Sequence, residues 1–236
     1  MRRAMTGEVR RLIGQPGLIG RLGSCEVVLI RTGIGMAKAS LASRAMLQSH
    51  EADLVISSGF ACALSSSGIG DLLIGTKVAC YDQLSAGPNA MPERFCATEV
   101  TTTAVAFARA NGFTALAGPL VTVPRVIWRA EEKRRLAAAS GAIGLDMESA
   151  AIAACAAERR VPFAVLRTVS DRVDEDLALD FNLFLNPLDW PRGMWACLSR
   201  PSSWRDLRRL RANGAIAAER LTDFFRRFVH DRLPQA

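Results

Sequence analysis

Ala142-Ile143-Gly144-Leu145-Asp146-Met147-Glu148-Ser149-Ala150-Ala151-Ile152-Ala153-Ala154 is the stretch that decides the fold. Residues 142–147 form a short apolar run that predicts a strand, and they pass without a linker into 148–159, whose small residues predict a helix lying close on a sheet. Toward the C-terminus, 162–169 repeats the buried strand and ends in Ser170-Asp171. Toward the N-terminus, 131–139 predicts a short helix, 115–123 a strand, and 98–110 a helix closed by Asn111-Gly112. Asp53 to Ser58 predicts another buried strand, followed by a small-residue turn over 59–64 and a strand pair over 71–81. The run Val27-Val28-Leu29-Ile30 inside 25–31 predicts a doubly covered strand. Thr32-Gly33-Ile34-Gly35 then turns into a helix over 36–50, with Ala37, Leu41, Ala45 and Met46 on one face. Alternating buried strands and helices imply a largely parallel sheet covered on both faces.

The chain has 236 residues, 50% apolar and 22% charged, which suits one globular domain over 1–236 and excludes disorder. Its longest uncharged stretch, 54–70, is short of the ~20 residues that span a bilayer. Near the N-terminus, Glu8, Arg10 and Arg11 stand where a signal peptide needs an apolar run, so a cytoplasmic location is expected. Cysteines at 25, 62, 80, 96, 155 and 197 form no Cys-x-x-Cys pair and lie far from His50 and His230. That spacing predicts reduced thiols, no metal site and no disulfide framework. No cofactor is expected.

The formal charge of +7 is concentrated at the end of the chain, where 200–232 holds nine arginines against Asp206, Glu219, Asp223 and Asp231. A loop signal, Gly87-Pro88-Asn89 with Pro92, interrupts the pattern over 85–92. An apolar and basic extension covers about 180–236: 181–201 is rich in aromatic, Leu, Asn and Pro residues, and 204–228 predicts a helical region broken near Asn213-Gly214.

Ligands of such sheets gather at the carboxyl ends of strands. Two of those ends carry acids, Asp146-Met147-Glu148 and Ser170-Asp171. Asp146 suits either a helix cap or a ligand. Glu148 precedes a nearly featureless helix and needs a partner, which a sugar diol would supply, since one carboxylate accepts from two hydroxyls. Asp171, half desolvated at its strand end, suits a general acid.

In order and spacing, Thr32-Gly33-Ile34-Gly35, Ser58-Gly59-Phe60-Ala61, Gly70-Asp71, Asp146-Met147-Glu148-Ser149-Ala150-Ala151-Ile152 and Val161-Pro162-Phe163 through Val169-Ser170-Asp171 resemble the purine nucleoside phosphorylase and nucleosidase superfamily over roughly 26–175. The resemblance implies a nucleoside phosphorylase-like α/β fold, a three-layer αβα sandwich around a mixed, partly barrel-like central sheet. It assigns Met147 to the sugar face, Glu148 to the ribose hydroxyls and Asp171 to purine N7, with Ser170 beside it. Ala4-Met5-Thr6-Gly7-Glu8-Val9 is similar to the methylthioadenosine and adenosylhomocysteine nucleosidase segment whose last Glu activates water, which makes Glu8 the candidate base, although only Met1-Arg2-Arg3 stand where the family places a first strand. Phe60 stands where phosphorylases place a phosphate- or ribose-binding Ser or Thr, and Val126 where nucleosidases stack a Phe on the base, with Ile127 next to it.

The tail, with Phe181, Phe184, Trp190 and Trp195, is most similar to the hopanoid-associated phosphorylase-like branch. The implied reaction converts adenosylhopane to ribosylhopane and adenine. Phosphorolysis of that substrate and hydrolysis of methylthioadenosine or adenosylhomocysteine are the alternatives. The implied partners are a lipid-linked adenine nucleoside, an anionic membrane touched peripherally at the inner face and a second copy in a homodimer, with no nucleic acid. A different class stays open: a basic membrane- or nucleic-acid-binding protein, in which Arg205, Arg208, Arg209 and Arg211 would matter and the acids would not.

Overall fold

A computed structural model describes residues 6–11, 17–22, 25–81, 92–177, 182 and 201–232. Three strands, β1 (Thr6–Arg11), β2 (Gly17–Leu22) and β3 (Cys25–Ile30), form an antiparallel meander. Helix α1 (Met36–Ser49) leads into β4 (Val55–Ala63) and β5 (Leu72–Cys80), then β6 (Arg94–Phe95), α2 (Thr98–Ala110) and β7 (Ala115–Thr122). Helix α3 (Ala130–Ser140), β8 (Gly144–Asp146), α4 (Ser149–Glu158), β9 (Phe163–Asp171) and α5 (Pro201–Arg232) complete the described elements.

The second sheet runs β6-β5-β7-β8-β4-β9, and a further β5–β9 pairing closes all of it but the short β6 into a ring. Parallel contacts link β5 to β7, β7 to β8 and β4 to β9, whereas β4–β8 and β5–β9 are antiparallel. The sheet is therefore mixed and partly barrel-like, as the family resemblance implies, whereas the alternation of strands and helices alone implied a largely parallel one. Closing the ring pairs both long strands on each side, leaving neither β5 nor β9 an open edge. Close approach sets residue size inside it: a Cβ on Gly144 would lie 2.5 Å from Leu73 Cδ1 and 3.1 Å from the Cys62 carbonyl.

Helices cover both faces. Ala39, Met46 and Leu47 of α1 and the Ala150–Ala156 stretch of α4 pack with Val55, Val165 and Val169, and the alanines let α4 lie close on the strands. On the other face Ala104 and Phe107 of α2 meet Leu72, Ile74, Leu166 and the Phe224, Phe225 and Phe228 cluster of α5. Phe224 and Phe228 stack with centroids 5.0 Å apart, and Phe107 and Phe113 meet Phe224 edge-on. Beneath α3, Leu136 joins Cys62, Val121, Val123, Ile127 and Leu145.

Several local expectations change. The strand over 25–31 is only half-buried and belongs to the small meander, because an apolar run alone does not fix which sheet it joins. The packed face of α1 is Ala39, Ser43, Met46 and Leu47; Ala37 and Leu41 face solvent. Residues 59–63 continue β4 rather than turning, since Gly59 sits extended with φ 152° against β9. The expected strand pair over 71–81 is the single strand β5. Helix α5 runs unbroken through Asn213-Gly214. Gly costs a helix interior about 1 kcal/mol, and burial of Ala217 and the phenylalanines just beyond offsets it. Residues 85–91 of the expected loop and Phe181, Phe184, Trp190 and Trp195 lie outside the described residues.

Phe228→Ala should lower unfolding stability by about 3–5 kcal/mol, because it empties a wholly buried ring position between α5 and the sheet. Urea unfolding followed by circular dichroism measures it, and a loss below about 1 kcal/mol would mean that α5 is not part of the core.

Candidate active site

The junction of β8 and α4 is organised by Asp146, which is buried. Its Oδ1 accepts from Thr122 Oγ1 at 2.7 Å and from the amides of Glu148 and Ser149 at 3.1 Å each. Ser149 Oγ donates to Oδ2, and Arg167 Nη2 lies 2.8 Å from the same oxygen. Thr122 Oγ1 in turn accepts from the amide of Ala150 at 2.9 Å. Asp146 thus caps α4 and ties it to β7, and both of its oxygens are occupied from within the protein.

Arg167, in the middle of β9, is buried as well. Its Nη2 also donates to Ser57 Oγ and Ser149 Oγ, each at 2.9 Å, and Nη1 reaches the Phe60 carbonyl at 3.5 Å. Gly59 makes room for the guanidinium: a Cβ there would lie 2.6 Å from Nη1.

Glu148 is held by the glycine turn 113 residues away in sequence. Gly35 N donates to Oε1 at 2.8 Å, the Met147 amide approaches Oε2 at 3.3 Å, and Arg167 Nη2 stands 3.9 Å from Oε2. Gly35 takes φ 92°, a left-handed conformation that glycine enters without cost, and this aims its N–H at the carboxylate from the start of α1. Burial raises the Glu148 pKa above the ordinary carboxylate value; the Gly35 amide and Arg167 pull it down without cancelling that rise. The side chain keeps 17% exposure, enough to meet a ligand.

Asp171 ends β9, and Ser170 Oγ lies 3.0 Å from its Oδ1. Its Oδ2 accepts from Lys133 Nζ at 2.9 Å. Lys133 projects from α3, is wholly buried, and donates also to the carbonyls of Arg172 and Glu175 at 3.0 Å each. Burial works to lower the lysine pKa, but Cys62 and the Asp171 carboxylate beside it prevail and raise it above the usual value. The Cys62 pKa is itself pushed well up, by burial and then by the charge of Asp171.

The strands that end in the two acids both pair with β4. Cys62 of β4 is the Cα partner of both Leu145 in β8 and Asp171 in β9. Two residues beyond the three-residue β8, Glu148 lies by Arg167, whose Cα partner in β4 is Gly59. Met147 is half-buried against the Ile127 cluster. Phe60 is 45% exposed, an apolar surface one residue beyond Gly59. Val126 is half-buried, and Asn182 brackets its backbone, accepting from its N–H at 2.8 Å and donating to its carbonyl at 2.9 Å. Ile127, next to it, turns its side chain into the core. Glu8 lies in β1, and its side chain is outside the described residues.

Lys133, Arg167, Thr122 and Asn182 were not picked out from sequence. Arg167 had a signal, a charge inside an apolar strand that must be paired. Lys133 had a fainter one: in Glu131-Glu132-Lys133-Arg134-Arg135 it alone is three residues from both Ala130 and Leu136 on the buried face.

A family model described as the phosphorylase superfamily matches residues 6–186. The 5'-methylthioadenosine/S-adenosylhomocysteine nucleosidase of Staphylococcus saprophyticus is 30% identical over 177 residues, 70% of this chain and 77% of that protein. The nucleosidase of the same name from Geobacillus kaustophilus is 31% identical over 180 residues, 70% and 75% of the two chains. In three dimensions the crystal structure of the Neisseria meningitidis nucleosidase in complex with methylthio-immucillin-A superposes with a TM-score of 0.72 at 21% identity, covering 97% of this chain and 92% of that one. The chain thus belongs to the phosphorylase superfamily and is an enzyme of its N-glycosidase kind.

Proposed function

We propose that this enzyme hydrolyses the N-glycosidic bond of an adenine nucleoside bearing an apolar 5′ substituent, adenosylhopane, to ribosylhopane and adenine. The observation that carries the hydrolytic reading is the presence of two partly exposed carboxyl groups, Glu148 and Asp171, at the ends of two strands that both pair with β4. The nucleosidase relatives support adenine as the base.

As the bond from C1′ to N9 breaks, its electron pair leaves with the base and the sugar becomes oxocarbenium-like. Glu148 accepts from the ribose hydroxyls and lies near the positive charge that develops. Asp171 gives a proton to N7, so the base leaves neutral. Water attacks C1′ and loses its proton to Glu8, and the two carboxyl groups then re-equilibrate with solvent. Met147 meets the sugar face, Ser170 steadies Asp171, and Phe60, Val126 and the backbone of Ile127 border the base.

Water is favoured over phosphate because the nearest Arg167 and Gly35 donors are turned to carboxylates of the protein itself. Arg167 is bound to Asp146, and the Gly35 amide donates to Glu148. The hopane is supported by the aromatic tail and by the arginines of α5, of which Arg208, Arg209 and Arg211 are exposed and suited to an anionic bilayer at the inner face. We further place the chain in the cytoplasm as a homodimer of single-domain subunits. A smaller thioether nucleoside is the second reading, favoured by the names of the relatives.

Asp171→Asn should keep the fold and lose about 10²–10⁴ in kcat, because a carboxamide bonds the purine but gives no proton. Adenine release assayed under saturating nucleoside measures it; near-normal turnover removes Asp171 as the acid.

Glu148→Gln should lower kcat more than it raises KM. Since burial raises the Glu148 pKa, its proton is retained to higher pH than usual. The working carboxylate is therefore lost on acidification while ordinary carboxylates are still ionised. The wild-type acid limb should begin above the usual carboxylate range and be absent from E148Q; a pure KM effect with the limb retained would reduce Glu148 to a ribose clamp.

Replacing Trp190 and Trp195 with Ser should cut activity on adenosylhopane far more than on methylthioadenosine, each aromatic contact being worth ~1–3 kcal/mol. Reversing the charge of Arg208 and Arg209 should weaken binding to anionic vesicles by ~1 kcal/mol per residue, less at high salt. Equal losses on both nucleosides with unchanged vesicle binding would favour the small thioether substrate.

A further inference from the structure

Lys133 is a buried cation that no substrate atom can reach. Its side chain is 0% exposed, and its three N–H bonds are directed at Asp171 Oδ2 and at the carbonyls of Arg172 and Glu175. An ammonium has three donors, so none is left for a ligand. The two carbonyls belong to the segment that follows Asp171. That segment is also fastened to α3 by Asp176, which accepts from the Ala130 amide at 2.6 Å, and by the Leu177 amide, which donates to the Trp128 carbonyl at 2.8 Å.

Taking a lysine out of water costs several kcal/mol unless a charge and hydrogen bonds offset it. A merely structural α3 would place an apolar residue between Ala130 and Leu136, as helix periodicity invites. Here the cation is aimed instead at one oxygen of the carboxyl group assigned to the leaving base. With Oδ2 fixed by Lys133, Oδ1, beside Ser170 Oγ, is the oxygen left to face a purine.

We propose that Lys133 is a positioning residue for Asp171: it fixes which carboxyl oxygen faces N7 and stabilises the carboxylate that forms as Asp171 gives its proton to the departing base. This rests on the nucleosidase reading above. When the proton leaves Oδ1 for N7, negative charge appears on Asp171, and the ammonium 2.9 Å from Oδ2 is already oriented toward it. Lys133 keeps all three of its protons throughout; the single proton moved is the one that Asp171 passes to N7. An interaction that strengthens as charge develops acts on kcat rather than on KM. The same interaction helps the product state, in which the Asp171 carboxylate accepts from the N7–H of adenine.

The test is a double-mutant cycle over Lys133→Gln and Asp171→Asn, with Lys133→Met as a second replacement. Gln keeps two donors without the charge, and Met removes both. Lys133→Gln should lower kcat by about 10- to 100-fold with KM within about 3-fold of wild type, and in the Asp171→Asn background it should cost less than about 2-fold. Met should lose at least as much as Gln, and circular dichroism and thermal unfolding should show all variants folded at the assay temperature. The four proteins of the cycle are titrated with adenine by calorimetry in parallel. Lys133→Gln should weaken adenine by about 5- to 10-fold when Asp171 is present and by less than about 2-fold when it is Asn. Equal losses in both backgrounds, in turnover and in adenine binding, would mean a structural lysine and overturn the proposal. Unchanged kcat in folded Lys133→Gln would overturn it as well. If wild type binds adenine with the coupling intact but releases none from any nucleoside, the nucleosidase reading fails while the link from Lys133 to Asp171 stands.

Discussion

The ion pair of Asp146 and Arg167, 2.8 Å across and buried, is the interaction on which the rest of the site depends. Each partner belongs to a different strand of the ring, and each holds further groups. Asp146 caps α4 and receives Thr122 from β7, while Arg167 reaches Ser57 and the Phe60 carbonyl of β4. Four strands and a helix thus converge on one pair of charges. Breaking such a pair leaves an uncompensated buried charge, worth about 3–5 kcal/mol. The pair also explains why Gly59 has no side chain, since a Cβ would meet the guanidinium.

Because Asp146 is satisfied internally, Glu148 is free to serve a ligand. Two carboxylates two residues apart have separate tasks through their surroundings: Asp146 is enclosed by donors, and Glu148 has one short bond to the Gly35 amide and part of its surface open. Burial raises the Glu148 pKa, whereas Asp171 stands against a buried ammonium. The two acids are thereby given unlike environments, Glu148 between Arg167 and the Gly35 amide and Asp171 bonded to the Lys133 ammonium, as suits one group that stays by the sugar and one that serves the base.

Much of the architecture was legible because it follows from short-range physics. The helix over 98–110 appears at those bounds, closed by Asn111 and by Gly112 at φ 73°. Strands over 115–123 and 162–169 shift only at their ends. The errors share a cause. An apolar run such as Val27-Val28-Leu29-Ile30 states that a strand is buried somewhere but not in which sheet, and the small residues of 59–63 look like a turn although β9 holds them extended. Asn213-Gly214 looked like a break because helix propensity is local, while the aromatic anchors of α5 lie a few turns further on.

The sequence by itself determined that an acid ends each of two buried strands and that a glycine turn opens a helix, since composition and periodicity act within a few residues. It also carried the family resemblance through the Asp-Met-Glu-Ser and Ser-Asp segments. Only the tertiary structure decided that Gly35 is the partner of Glu148, that Asp146 belongs to Arg167, and that Lys133 turns inward to Asp171 while Glu131 pairs outward with Arg135. The physical reason is that each of the three inward partnerships joins groups from different strands and helices. A charge declares in sequence that it needs a counterpart, but which counterpart it meets depends on strand register and helix rotation, and those are set by the packing of the whole ring.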